Sequence, residues 1–232
     1  MTETRIKVDL HTHTSDDPED AIGHSGPDLI DRAVALQYGA LAITLHNRYS
    51  DCRALDVYAR DRGLVLIPAV ERSIDGAHTL LINFPPESAE VDSFEALRLF
   101  KARHPQGLVV APHPWFPLGN SLGASRMERY ADLWDAVEIN AFYTRLVDFN
   151  RAARRWAANR SCPLVGNGDI HQLRQFGSTY SLVAVQGAVN PDSICSAIKA
   201  GRVDVCSRPI SHRRAASIAV RGIFAGLTGR PW

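Results

Sequence analysis

The chain carries nine histidines, and six of them, His11, His13, His46, His78, His113 and His171, stand at the starts or ends of short apolar runs. Carboxylates accompany them: Glu71 closes LVLIPAVE (64–71), and Asp169 precedes His171 in GNGDIH. A lone histidine at a strand end is usually a hydrogen-bonded structural residue, so the argument rests on their joint placement. Residues two apart on a strand project to one side, which makes His11 with His13, and Asp169 with His171, two pairs able to grip an ion. Imidazoles mixed with carboxylates suit Zn²⁺, Mn²⁺ or Fe²⁺ better than Mg²⁺ or Ca²⁺, which prefer oxygen. The donors exceed what one tetrahedral ion takes. A multinuclear centre follows, with Glu71 suited to bridging two cations roughly 3.5–4 Å apart.

Elements of one kind must carry these residues to a common place. The apolar runs are 6–11, 41–46, 64–71, 78–84, 108–114, 135–140, 163–169 and 180–185, most of them without polar alternation, as expected of strands buried on both faces of a parallel sheet. Helical segments lie between them at 27–39, 50–63, 92–104, 147–160 and 190–201. Pro and Gly bracket the first of these, and Asp92 and Asn190 stand near helix starts. Repeated strand–helix alternation predicts an α/β domain with a parallel sheet, closed into a barrel. In such a barrel the carboxyl ends of the strands converge on one face, where sites are built.

Composition narrows the setting. A chain of 232 residues with 45% hydrophobic content suits one large domain. A net charge of +1 gives no global pull toward nucleic acid or membrane. Cys52, Cys162, Cys195 and Cys206 are scattered, which predicts reduced thiols and a cytoplasmic protein. There is no signal-like start and no run approaching the roughly 20 apolar residues of a membrane span. Residues 1–206 are expected to form the barrel. The basic segment 207–232 is expected to pack on it or to be partly mobile, with Ile218, Val220, Ile223, Phe224 and Leu227 on one apolar side; docking to a membrane surface or partner is its other reading.

Six motifs, DLHTHT (9–14), ITLHN (43–47), PAVE (68–71), HTLLI (78–82), APHP (111–114) and GDIH (168–171), occur in an order that resembles the PHP (polymerase and histidinol phosphatase) family. The resemblance spans about residues 6–171. It implies a distorted (β/α)7 TIM-like barrel and a two- or three-metal site acting on phosphoesters. It assigns His11, His13, Glu71 and Asp169 to a first metal, and Glu71, His78 and His113 to a second. His46, His171 and an acidic residue after the first motif are assigned to a third. Asp16, Asp17 and Asp20 all stand available for that last role; Asp17 and Asp20 are favoured because either lets a short loop fold back over the ions. Two positions depart from the family pattern: Leu45 stands where an Asp is common, and GNGDIH replaces a GSDAH-like form.

The expected activity is that of a metal-dependent phosphoesterase with a metal-bridging hydroxide as nucleophile, and with the third-site ion, or an acid among His171, Asp17 and Asp20, stabilising or protonating the leaving oxygen. A metal-dependent amidohydrolase and a noncatalytic metal-binding regulatory module are the alternatives. Arg48, Arg72, Arg145 and Arg174 follow motif residues and read as surface arginines or grips for phosphate oxygens. Glu138 and Asn140 at a strand end read first as orienting a ligand. Trp115, Phe116, Phe142 and Tyr143 read first as packing under loops, then as stacking on substrate. His24, His104 and His212 read as structural or surface residues. A small phosphorylated substrate and a short oligonucleotide both suit the resemblance, without a strong nucleic-acid signature.

Overall fold

Pro68 has no N–H to give a ladder, and at Pro68 the run 64–71 leaves one sheet for another. The computed structural model describes residues 3–117 and 120–228, with side chains to residue 220. Its strands are β1 (Glu3–Thr12), β2 (Ala40–Ile43), β3 (Val65–Ile67), β4 (Ala69–Ile74), β5 (Ala77–Ile82), β6 (Leu108–Ala111), β7 (Ala136–Asn140), β8 (Leu164–Asn167), β9 (Thr179–Gln186) and β10 (Val203–Ser207). Its helices are α1 (Gly26–Ala35), α2 (Arg53–Arg60), α3 (Phe94–Arg103), α4 (Gly123–Arg129), α5 (Asn150–Arg160), α6 (Pro191–Lys199) and α7 (His212–Thr228).

The strands form two five-stranded sheets, ordered β10-β9-β1-β2-β3 and β4-β5-β6-β7-β8. This is a mixed α/β single domain. Among the described residues no ladder closes the sheets into the expected barrel. Isolated bridges span the gaps instead: Thr12 pairs with Ile170 on one side, and His46 with Glu71 and Ser50 with Ala69 on the other. The pairing is also not all parallel, since β1–β9, β9–β10, β4–β5 and β5–β6 run antiparallel. Asp75-Gly76 explains one of these departures: both residues have positive φ, 47° and 74°, the backbone of a two-residue hairpin turn.

Between the sheets lies an apolar interior built from Val8, Leu10, Ala42, Ala69, Leu80, Val110, Ala136 and Val165, with α6 contributing Ile194 and Ile198. A second core packs α3, α4 and α5 on the outer face of the β4–β8 sheet, and a third packs around α1. Helix starts follow local chemistry. Ser25 and Asp28 form a reciprocal cap before α1, and Asn190 and Ser193 do so before α6. In α7, Ile218 is buried and Val220 is 65% exposed, so the expected apolar side does not extend to Val220. The side chains of Ile223, Phe224 and Leu227 lie outside the described residues. All four cysteines are free thiols, and no described helix is long and apolar enough to cross a membrane.

Candidate metal centre

The β1 strand reaches the site through an irregularity, because its register against β2 shifts between Asp9 and Thr12. Val8 and Leu10 belong to the interior core, yet the neighbouring His11 also turns inward, its Nε2 lying 3.0 Å from Glu71 Oε2. A bulge is what allows consecutive residues to serve one face. Asp9 accepts the N–H groups of His11 at 3.1 Å and Gly168 at 3.0 Å, which ties the bulge to the turn carrying Asp169. Gly168 permits this approach, for a Cβ there would meet Asp9 Oδ2 at 2.9 Å. Burial pushes the Asp9 carboxyl up to about 8 despite both donors.

Glu71 occupies the middle of the cluster and is 1% exposed. Its Oε2 faces His11, His13 and His46 through their Nε2 atoms at 3.0, 3.3 and 3.3 Å. Its Oε1 faces His78 Nδ1 at 2.6 Å and His113 Nε2 at 3.3 Å. Asp169 Oδ1 joins the first group at 3.4 Å from His11 and 3.5 Å from His13, and lies 3.3 Å from His171 Nδ1. Among the described residues four overlapping donor sets have ligand atoms within 4.8 Å of one another: His11–His13–Asp169, His11–Glu71–His113, His13–Asp17–His46 and His46–Glu71–His78. His113 and Asp169 take positive φ, 29° and 49°. Such backbone costs on the order of 1–3 kcal/mol each and is characteristic of functional sites.

Outer partners fix the rings. His11 Nδ1 pairs with Glu138 Oε2 at 2.8 Å, and Glu138 also accepts from Asn140 and Asn167 side chains and from the His113 N–H. Asp17 Oδ2 lies 2.9 Å from His13 Nδ1 and 3.0 Å from His46 Nδ1, while its Oδ1 accepts the Glu19 and Asp20 N–H groups. Asp20 Oδ2 lies 2.9 Å from His171 Nε2. Asp16 is exposed. His24 pairs through Nε2 with the His13 carbonyl at 2.8 Å, anchoring the acidic loop. Asn120 contacts His78, and Asn167 also accepts the Leu10 N–H. Asn120 and Asn167 escaped sequence reasoning. The polar residue inside the apolar run PLVGNGD was the available signal for Asn167; Asn120 had none.

The electrostatics are those of a cation site. Burial works against charge on His11 and His13, yet the surrounding carboxylates hold both well above the ordinary histidine value. Burial likewise opposes ionisation of Glu71 and Asp169, but the histidines, His11 foremost, hold both well below the usual carboxylate range. His13 Nε2 is buried without a hydrogen-bond partner although it faces two carboxylates. An imidazole presenting its lone pair to a shared cation has this arrangement. The residues present therefore fit divalent ions.

A cavity of about 420 Å³ opens at the cluster, lined by Glu71, His78, His113 and Asp169 together with the apolar Phe116, Phe142 and Ile218. Asp20 and His171 also line it; Asp17 does not. Of the other aromatic candidates, Trp115 packs toward Trp156 and Tyr143 accepts the Ser207 hydroxyl. Arg48, Arg72, Arg145 and Arg174 are not among the described residues lining the cavity. Arg48 donates to the Asp16 carbonyl and Arg72 to Val91 and Asn47.

Residues 148–203 match the family model described as PHP-associated. A comparison with curated proteins finds no match. Among solved structures, a two-domain protein from Bacteroides vulgatus ATCC 8482 containing a predicted PHP-like metal-dependent phosphoesterase is similar at TM-score 0.68 and 19% identity, over 95% of this chain and 70% of that one. PsfC from Pseudomonas syringae PB-5123 is similar at TM-score 0.64 and 15% identity, over 98% and 99%. The lesion-specific endonuclease PfuEndoQ from Pyrococcus furiosus is similar at 0.59 and 17%, over 93% and 66%. At these identities the likeness is one of fold. The family-model match and these neighbours agree with the resemblance that the ordered histidine and carboxylate motifs bear to the PHP family.

Proposed function

We propose that the protein is a metal-dependent phosphoesterase whose two sheets act as an opened, TIM-like barrel around a two- or three-ion centre. The observation carrying this reading is that the two oxygens of buried Glu71 face two separate histidine sets beside a cavity. His11, His13, Glu71 and Asp169 would hold one Zn²⁺, Mn²⁺ or Fe²⁺ ion, and Glu71, His78 and His113 a second. His46 and His171, with Asp17 or Asp20, would complete a third. When bound, such ions neutralise phosphate charge and bring the pKa of water toward roughly 7.

The chain's own residues supply the rest. Glu138 and Asp17 hold His11 and His13 in the tautomers that keep their Nε2 atoms facing inward. His171, paired with Asp20 at the cavity wall, delivers a proton to the departing alcohol oxygen. In balance, water forms a P–O bond, the ester P–O bond breaks, and the alcohol leaves carrying a proton. Small phosphate esters are the proposed substrates, with phosphodiesters of short oligonucleotides second.

The experiment is a panel of phosphomonoesters, phosphodiesters and amides incubated with protein loaded with Mn²⁺, Zn²⁺ or Fe²⁺. Phosphate release that His11→Ala abolishes supports the reading. Turnover of amides alone, or no metal uptake, contradicts it.

A further inference from the structure

The proposed metal centre does not account for the apolar part of the cavity lining. Ile218 and Ala219 of α7 line the cavity together with Phe116 and Phe142, and most of its exposed surface is apolar. Among the described residues the lining includes no lysine or arginine, and its neutral polar groups are Asn120, Asn140 and Gln175. The helix is held in this position: Arg214 donates to the Arg174 carbonyl, and Arg174 donates to Ser217 Oγ at 3.3 Å. Both contacts fasten α7 to the segment that follows His171. Phe142 is fixed by its N–H, which donates to Asn140 Oδ1 at 2.8 Å, and Phe116 packs against Phe149 with ring centroids 5.3 Å apart. Phe142 and Ile218 also border a narrow crevice beside the main cavity, so they stand together as one edge of it.

We propose that Phe142 and Ile218 form a specificity wall that selects phosphate esters of a compact, flat, apolar alcohol. The inference rests on the phosphoesterase reading and adds the leaving-group class. A phosphate seated at the metal centre directs its ester group toward this wall, where an aromatic or aliphatic alcohol is desolvated against Phe142 and Ile218. A polyhydroxy alcohol loses hydrogen bonds to water there and recovers few from Phe142 and Ile218, whose side chains carry no polar atom, although Gln175, Ser178 and Arg214 lie along the same crevice.

The test compares benzyl phosphate with glycerol 1-phosphate on the Mn²⁺-loaded full-length protein, two esters whose alcohols are similarly poor leaving groups. Benzyl phosphate is expected to have at least about tenfold higher kcat/KM, carried mainly by KM. Ile218→Ala and Phe142→Ala are expected to reduce that ratio about three- to tenfold with bound Mn²⁺ unchanged, and Ile218→Leu to retain it. Equal kcat/KM for the two esters in the unmodified protein overturns the inference and leaves the phosphoesterase reading intact. A ratio that neither alanine variant moves also overturns it. Failure of the metal-loaded protein to hydrolyse either ester, or any other phosphate ester, overturns both.

Discussion

Glu138 Oε2 lies 2.8 Å from His11 Nδ1, on the edge of the ring away from Glu71, and both side chains are completely buried. The contact orients the His11 ring so that Nε2 faces Glu71 at the centre of the cluster. Burial opposes the Glu138 charge, but His11 holds its pKa below the ordinary glutamate value.

Glu138→Gln keeps the shape of the side chain and removes its charge. Loss of such an outer carboxylate typically costs about 10–100-fold in metal affinity. Titration of the variant with Mn²⁺ should show a weakening of that size, with an unchanged circular dichroism spectrum. Unaltered affinity would remove Glu138 from the account.

Asp17 and Asp20 are separable. Asp17 is enclosed behind His13 and His46, whereas Asp20 lines the cavity beside His171. Asp17→Asn should therefore lower metal occupancy. Asp20→Asn should preserve occupancy at the Glu71 centre while lowering kcat by on the order of 10²-fold or more, as loss of a proton-transfer partner does. Element analysis alongside steady-state kinetics distinguishes the two, and identical behaviour would contradict the assignment.

Without metal, stability should depend on pH in a defined sense. The raised histidines His11, His13, His46 and His113 contribute stability that is complete below about pH 6.5 and is lost as pH rises through their folded values. The lowered carboxylates Asp17, Glu71, Glu138 and Asp169 contribute stability that is present above about pH 4 and is lost as pH falls through their folded values. Asp9, raised to about 8, adds a cost that grows from its ordinary value up to that pH. In chelator, Tm should be highest near about pH 4.5–6.5 and decline toward pH 9. Added Mn²⁺ should stabilise increasingly as pH rises, because fewer protons compete for the imidazoles. Thermal scans with and without chelator check both trends; a chelated Tm that climbs steadily from pH 5 to pH 9 would refute the first.

Gly166 tests the packing that supports the site. A Cβ there would meet the Tyr180 carbonyl oxygen at 2.7 Å, where β8 approaches β9 and Gly166 N–H donates to Ser181 Oγ at 2.9 Å. Backbone cannot yield as a side chain can. Gly166→Ala should cost about 1–3 kcal/mol, visible as a lower denaturation midpoint in urea.

Much of this site was readable before any coordinates, because ligand types at strand ends survive in the sequence as polar residues closing apolar runs. Glu71 was expected to bridge two donor sets, and its two oxygens face two histidine groups. The route taken by β1 was not readable. Strict alternation from Val8 and Leu10 would have sent His11 to the opposite face, and only the register shift after Asp9 brings it inward. Sheet pairing was equally hidden. Apolar runs buried on both faces look alike whether parallel or antiparallel, and the sheet change at Pro68 and the Asp75-Gly76 turn were the local signs that the arrangement is mixed. The strand Val203–Ser207, a sheet-edge strand with Asp204 exposed and its other residues only partly buried, carried too weak an apolar pattern to stand out.

Anomalous diffraction from crystals grown with Mn²⁺ tests the central claim most directly. The account predicts at least two peaks sharing Glu71: one contacting Oε2 together with His11, His13 and Asp169, the other contacting Oε1 together with His78 and His113. No peak in the cluster, or a single ion that does not contact Glu71, would contradict it.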